Sequence, residues 1–212
     1  MAFWDSGQLL KKGNFILPAS EISFYKMVYL FPFISYLIGS ISFSYFIIYW
    51  KMKKSIFTLG SGNAGAGNVG DILGWKWGIL VGIMDFAKGV CMVLLARALG
   101  LNEVNNIFFI LGAILCICGH NWSIFLGFKG GTGLATSIGI LFMFYPIYLL
   151  ISIIIGLILN SFIAMELAVF FGGSTYIMIT LLTGKNYWVS FLPLFLGVPM
   201  IIKRIYWFKK NG

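Results

Sequence analysis

The chain has 212 residues, 60% of them hydrophobic and 10% charged, with a mean hydropathy of +0.95 and a formal net charge of +9. Soluble domains carry about 25% charged residues, so a soluble, nucleic-acid-binding or disordered protein is excluded. The bases are scattered between apolar runs rather than gathered into a stripe, which fits anionic lipid and the excess of lysine on cytoplasmic loops.

The length allows about seven to eight spans of about 20 residues each. The expected fold is all-α: a polytopic membrane bundle of about seven transmembrane helices with glycine-rich cytoplasmic loops. Residues 1–25, with Asp5, Lys11, Lys12 and Pro18, read as a polar extension lacking the apolar core and cleavage site of a signal peptide. Residues 26–212 read as a single membrane-embedded domain.

Val28 to Tyr49 holds 22 residues without a charge, about 33 Å as a helix, and predicts the first span. Lys51, Lys53 and Lys54 follow, then a predicted loop from Thr58 to Gly74 carrying Gly60, Gly62, Gly65, Gly67, Gly70 and Gly74. Irregular backbone in a bilayer protein must sit in water or be enclosed by protein. Gly78 to Leu95 predicts the second span, broken by Asp85 and Lys88, which share a helical face and can pair. Charges at that depth face the bundle or a cavity, as a helix-locking pair or as part of a site.

Ile107 to Cys118 predicts a short third span, leading into the segment from Gly119 to Gly133. The uncharged stretch from Gly130 to Met165 holds 36 residues, about 54 Å as one helix, so it must fold back, with Pro146 as the expected break. Two further spans, Leu167 to Leu182 and Tyr187 to Ile202, flank the turn Thr183 to Asn186, and Lys203, Arg204, Lys209 and Lys210 close the chain. With the C-terminus cytoplasmic, that side collects Lys51, Lys53, Lys54, Lys76, Lys129, Lys203, Arg204, Lys209 and Lys210 against Lys11, Lys12, Lys26, Arg97 and Lys185 outside. The bias favours an outside N-terminus and a cytoplasmic C-terminus, which places both glycine-rich segments in the cytoplasm.

Gly60 to Gly65 and Gly65 to Gly70 each match G-x-G-x-x-G, but no strand precedes them, so a dinucleotide fold is rejected. Glycines that reach positive φ can still turn successive N–H groups inward around an anion, with Ser61, Asn63 and Asn68 as partners; a merely flexible loop is the alternative. Phe128 to Gly133 has the look of a second phosphate cradle, with Lys129 as its point charge. His120, the only histidine, reads as a proton donor, an anion ligand or a plain interfacial residue. One histidine and six scattered carboxylates do not build a metal site; no metal or other cofactor is expected.

Four stretches together resemble the bacterial membrane glycerol-3-phosphate acyltransferases that use acyl phosphate. They are Tyr36 to Phe43, Gly60 to Val69, Asp85 to Gly89, and Gly119 to Thr136. The resemblance implies transfer of a fatty acyl group from acyl phosphate to glycerol 3-phosphate, giving lysophosphatidate, at the bacterial plasma membrane. Acyl phosphate, glycerol 3-phosphate and the lipid bilayer are then the expected partners, with no nucleic acid. It implies catalytic roles for Ser61, His120 and Lys129. It implies substrate and phosphate contacts for Ser40, Gly60, Gly62, Asn63, Gly65, Asn68, Gly130, Gly131, Thr132 and Gly133. Asp71 stands where the family usually carries arginine, and Thr132 where it carries a second lysine. A paralogue with another acceptor, or an inactive lipid- or phosphate-binding membrane protein, are the alternatives.

Overall fold

The computed structural model describes residues 19–101, 106–162 and 165–211, and among them it contains nine α-helices and no β-strand. The residues before Ala19, including Asp5, Lys11, Lys12 and Pro18, lie outside the described part. Helix α1 (Ala19–Ser40) begins within the stretch expected as the polar extension.

The first expected span is interrupted. After α1 the chain leaves helical geometry at Ile41 and Ser42 and resumes as α2 (Phe43–Met52), because the Ser42 hydroxyl caps the new helix by accepting from the Tyr45 amide at 3.3 Å. The loop expected from Thr58 to Gly74 is also shorter than the sequence suggests. A 3-10 turn at Ile56–Thr58 leads into it, and its second half is helix α3 (Ala66–Leu73). Val69 is fully buried, and Gly70 lies against Gly78 of the next helix, so packing outweighs the poor helix propensity of the glycines. Gly74, at φ +95°, ends α3 and turns the chain into α4 (Trp75–Ala98).

Helix α5 (Ile107–Asn121) precedes the second glycine-rich segment, and α6 (Leu134–Phe142) follows it. The chain folds back as expected, and Pro146 occupies the first turn of α7 (Pro146–Asn160), where its missing N–H is harmless. Helices α8 (Met165–Leu182) and α9 (Tyr187–Asn211) complete the bundle. Three segments, Lys26–Met52, Trp75–Ala98 and Tyr187–Tyr206, are long and apolar enough to cross a membrane, and Ile107–Asn121, Pro146–Asn160 and Val169–Leu182 are shorter apolar helices. The nine residues of α6 reach only about 14 Å.

Glycines let the central helices approach to backbone contact. A methyl group on Gly39 would strike the Cys116 carbonyl and one on Gly119 the Tyr36 carbonyl, locking α1 to α5; Gly89 and Gly139 do the same for α4 and α6. Two apolar clusters result. The larger is centred on Phe31, Met92, Phe109, Ile117, Ile140, Tyr176 and Leu192, and the smaller on Ile47, Ile48, Ile56, Ala64, Val69 and Val81. Large apolar side chains such as Phe46, Ile83, Ile147, Leu157 and Phe170 are exposed around the bundle, as a lipid-facing belt requires.

Apart from the buried Asp85 and Lys88 of α4, cationic side chains mark the two ends. Arg97 donates to the Met143 carbonyl and Lys185 lies over Tyr145 at one end; Lys51 over Trp77, Lys129 over Phe57 and Lys203 over Trp122 mark the other. Both glycine-rich segments lie at the second end. The side chains of Lys209 and Lys210, counted in the sequence-based orientation, lie outside the described residues.

Candidate active site

The gap between α1 and α2 leaves carbonyl groups without helical partners. Lys88 of α4 fills it: its ammonium donates to the Ile41 carbonyl at 2.6 Å, reaches the Gly39 carbonyl at 3.4 Å, and pairs with Asp85 Oδ1 at 2.7 Å. Lys88 and Asp85 are 4% and 2% exposed, and a buried pair of this kind holds only when further hydrogen bonds satisfy its remaining protons. The ammonium also stands 3.3 Å from Nδ1 of His120, the penultimate residue of α5.

The first glycine-rich segment is organised from within. The Asn68 side chain accepts from the Ser61 amide and donates to the Leu59 and Asn63 carbonyls, fixing the loop between them. Gly60 and Gly62 sit at φ +52° and +68°, and Gly60 lies so close to Asn68 Oδ1 that a Cβ would collide with it. Ser44 of α2 donates to the Ala64 carbonyl at 3.0 Å and anchors the far side of the loop.

The second segment folds back on the end of α5. Gly131 donates to the His120 carbonyl at 3.0 Å, and Ser123 pairs with Lys129 across a tight turn. Ser123 also donates to the Ser40 carbonyl at 2.6 Å, and Tyr36 to the Trp122 carbonyl at 2.7 Å, tying the turn to α1. A Cβ on Gly131 would collide with His120 Nε2 and stand 2.7 Å from the Ala64 carbonyl. The two glycine-rich segments therefore touch, with the imidazole beside the contact. Lys129, exposed, lies 5.6 Å from the centre of the Phe57 ring.

Two helix N-termini open beside this contact. Gly65 caps α3 and Gly133 caps α6, and neither provides a side-chain acceptor, so the first N–H groups of both helices remain for an anion. Ser61 and Thr132 are exposed, Gly130, Gly131 and Gly133 are buried, and Asn63 is half-buried. Ser40 is fully buried behind Gly119, and Asn68 acts inside the loop. Next to Gly133, a cavity of about 460 Å³ opens between α6, α7, α8 and α9, lined by Leu134, Ser137, Ile153, Tyr176 and Met200 among mostly apolar side chains.

Two cations near the site were not among the expected site residues. Lys88 reads from the sequence as the partner of Asp85, in a helix-locking pair or in a site, and the neighbour that decides between these, His120, is 32 positions away. Lys203 is the first charge after the apolar run of α9; it donates to the Asn121 carbonyl at 2.7 Å, while the Asn121 amide donates to the Pro199 carbonyl at 3.1 Å. That pairing fastens the last helix to the end of α5.

The chain matches the family model for glycerol-3-phosphate acyltransferase over residues 29–211. It is 40% identical over 137 residues to glycerol-3-phosphate acyltransferase 4 of Dehalococcoides mccartyi (strain CBDB1), covering 65% of this chain and 58% of the relative. It is 42% identical over 123 residues to the glycerol-3-phosphate acyltransferase of Thermoanaerobacter pseudethanolicus, covering 58% and 60%. These matches thus span less than two thirds of the curated relatives' own length. The crystal structure of PlsY (YgiH), an integral membrane glycerol 3-phosphate acyltransferase in its glycerol 3-phosphate form, superposes with a TM-score of 0.73 at 29% identity, covering 84% of this chain and 88% of that one. Its lysophosphatidic acid form gives 0.71 at 30% identity.

Proposed function

The chain belongs to the glycerol-3-phosphate acyltransferase family, and from this we propose that it is an integral membrane acyltransferase that moves a fatty acyl group from acyl phosphate to glycerol 3-phosphate. The products are lysophosphatidate and inorganic phosphate. The observation that carries the reading is the meeting of two glycine-rich segments, each leading into an uncapped helix N-terminus, beside His120 and an apolar cavity.

In this reaction a hydroxyl oxygen of the acceptor bonds to the acyl carbon, the bond from that carbon to the phosphate oxygen breaks, and the hydroxyl proton ends on the released phosphate. The donor carbonyl is already activated, so positioning and stabilisation of the developing oxyanion carry the rate. The N–H groups around Ser61 to Gly65 and Gly130 to Gly133 hold phosphate oxygens, Lys129 adds charge, and His120 meets the reacting groups as proton donor or anion ligand. The cavity beside Gly133 takes the acyl chain, which places the activated carbonyl at the meeting point of the loops. Residues 26–212 act as one membrane domain in the bacterial plasma membrane, with the site facing the cytoplasm.

The test is acyl transfer by the purified full chain in lipid, with a defined acyl phosphate, glycerol 3-phosphate and a panel of other hydroxyl and amine acceptors, read by mass spectrometry. Lysophosphatidate is the expected product. A different acylated product would reassign the acceptor, and silence beside an active relative would overturn the reading.

A further inference from the structure

We propose that Lys88 is a positioning residue that fixes His120 as the tautomer carrying its proton on Nε2, so that the ring offers a hydrogen-bond donor to a negatively charged oxygen at the Gly130–Gly131 turn and does not act as a base. The inference deepens the acyltransferase reading and rests on it for the identity of that oxygen, a phosphate oxygen or the oxyanion of the reacting carbonyl.

An ammonium group has three protons and no lone pair. Lys88 Nζ has hydrogen-bond geometry to the Ile41 carbonyl at 2.6 Å, the Gly39 carbonyl at 3.4 Å and His120 Nδ1 at 3.3 Å, and its charge is paired with Asp85 Oδ1 at 2.7 Å. Nδ1 must therefore present its lone pair, and the ring proton belongs on Nε2. Asp85 Oδ1 is 3.8 Å from Nδ1, beyond hydrogen-bond reach, and its charge is engaged by Lys88. His120 is 8% exposed. Its Nε2 faces Gly131 at the turn of the second glycine-rich segment. A ring N–H at this position is offered to whatever sits in the glycine turn, and an anionic oxygen there would accept it.

The break between α1 and α2 is part of this device, because a continuous helix would keep the Ile41 carbonyl for its own ladder. One proton of Lys88 would then lose its acceptor, and the ammonium would lose the contact that holds it beside the ring.

Because His120 is the only histidine in the chain, isotope labelling of histidine reports a single ring. The full chain in lipid bilayers is labelled with 15N-histidine and its two ring nitrogens are assigned by NMR. The wild-type protein is expected to show a protonated Nε2 and an unprotonated Nδ1. Lys88→Met should move proton density to Nδ1 and lower kcat about 10- to 100-fold, with a smaller change in KM, since wrong tautomers and lost supporting contacts act on the chemical step. Lys88→Arg, which can also only donate, should retain the wild-type tautomer. A wild-type ring protonated on Nδ1 overturns the proposal, as does a ring unchanged by Lys88→Met. The wild-type spectrum decides even if that variant fails to fold. The expected spectrum in a protein inactive towards every acceptor would support the positioning and reject the acyltransferase reading, whereas activity with the opposite tautomer would reject the positioning alone.

Discussion

Lys129 keeps its ammonium in solvent and rests over the Phe57 ring, which belongs to the other glycine-rich segment. A hydrogen bond from such a charge to a phosphate oxygen contributes about 1.5–3 kcal/mol, so Lys129→Ala should lower kcat/KM for acyl phosphate about 10- to 100-fold while expression and melting temperature stay near wild type. Unchanged turnover would remove Lys129 from the site. Gly131 admits no side chain, since a methyl group would press on the imidazole and on the Ala64 carbonyl together. Gly131→Ala is expected to cost about 1–3 kcal/mol in stability through overpacking and to lower activity by at least about tenfold. Gly67→Ala is its counterpart: outside its own helix no atom lies within 4 Å of the added methyl, so stability should rise by about 0.4–1 kcal/mol, and a loss of activity there would come from the first N–H groups of α3 and not from overpacking. Thermal melts and steady-state assays on the pair separate a steric role from mere glycine content. The residue types of this site were legible in the sequence because glycine, lysine and histidine have few reasons to cluster in an apolar chain. The direction in which each points was not. Asn68 reads equally well as an anion ligand or as the clamp that joins Leu59, Ser61 and Asn63, and only the fold distinguishes them.

At the scale of elements, the apolar runs gave most of the helices, and Pro146 marked the reversal between α6 and α7 because proline has one comfortable place in a helix, its first turn. Two details escape the apolar pattern, the break within the first span and the helix within the first glycine-rich segment. Hydropathy sees Val28 to Tyr49 as one run and cannot register that Ser42 competes for the backbone as a cap. Conversely, glycine content marks Ala66 to Leu73 as loop, although close packing of Gly70 on Gly78 is what makes it a helix. Removing the cap tests the first point: Ser42→Ala should lower stability by about 1 kcal/mol, measured as a shift in melting temperature in detergent or nanodiscs. A variant as stable as wild type would mean that Lys88 alone maintains the break.

For the whole molecule, the grouping of charges on which the sequence-based orientation rests recurs in the structure, with Lys51, Lys129 and Lys203 at one end and Arg97 and Lys185 at the other. Its sidedness is a separate matter that labelling resolves. Ser61→Cys and Thr132→Cys, both at exposed positions, in a chain whose Cys91, Cys116 and Cys118 are replaced by serine or alanine, should react with a membrane-impermeant thiol reagent in inverted vesicles and stay unmodified in intact cells. Modification in intact cells would reverse the topology.

The break at Ile41 and Ser42 also has a mechanical meaning. Before it, Phe31 belongs to the larger apolar cluster; after it, Ile47 and Ile48 belong to the smaller. The first glycine-rich segment is built on the smaller cluster through Ile56, Ala64 and Val69, while the second is flanked by Ile117 and Ile140 of the larger. The two glycine-rich segments thus meet at a seam between the two apolar clusters, which are joined through α4 and through a short non-helical link that Lys88 grips. A cavity opened in either cluster would reach that contact as a shift of one loop relative to the other. Core substitutions such as Val69→Ala or Ile140→Ala therefore bear on how well the loops register as well as on how firmly the protein folds.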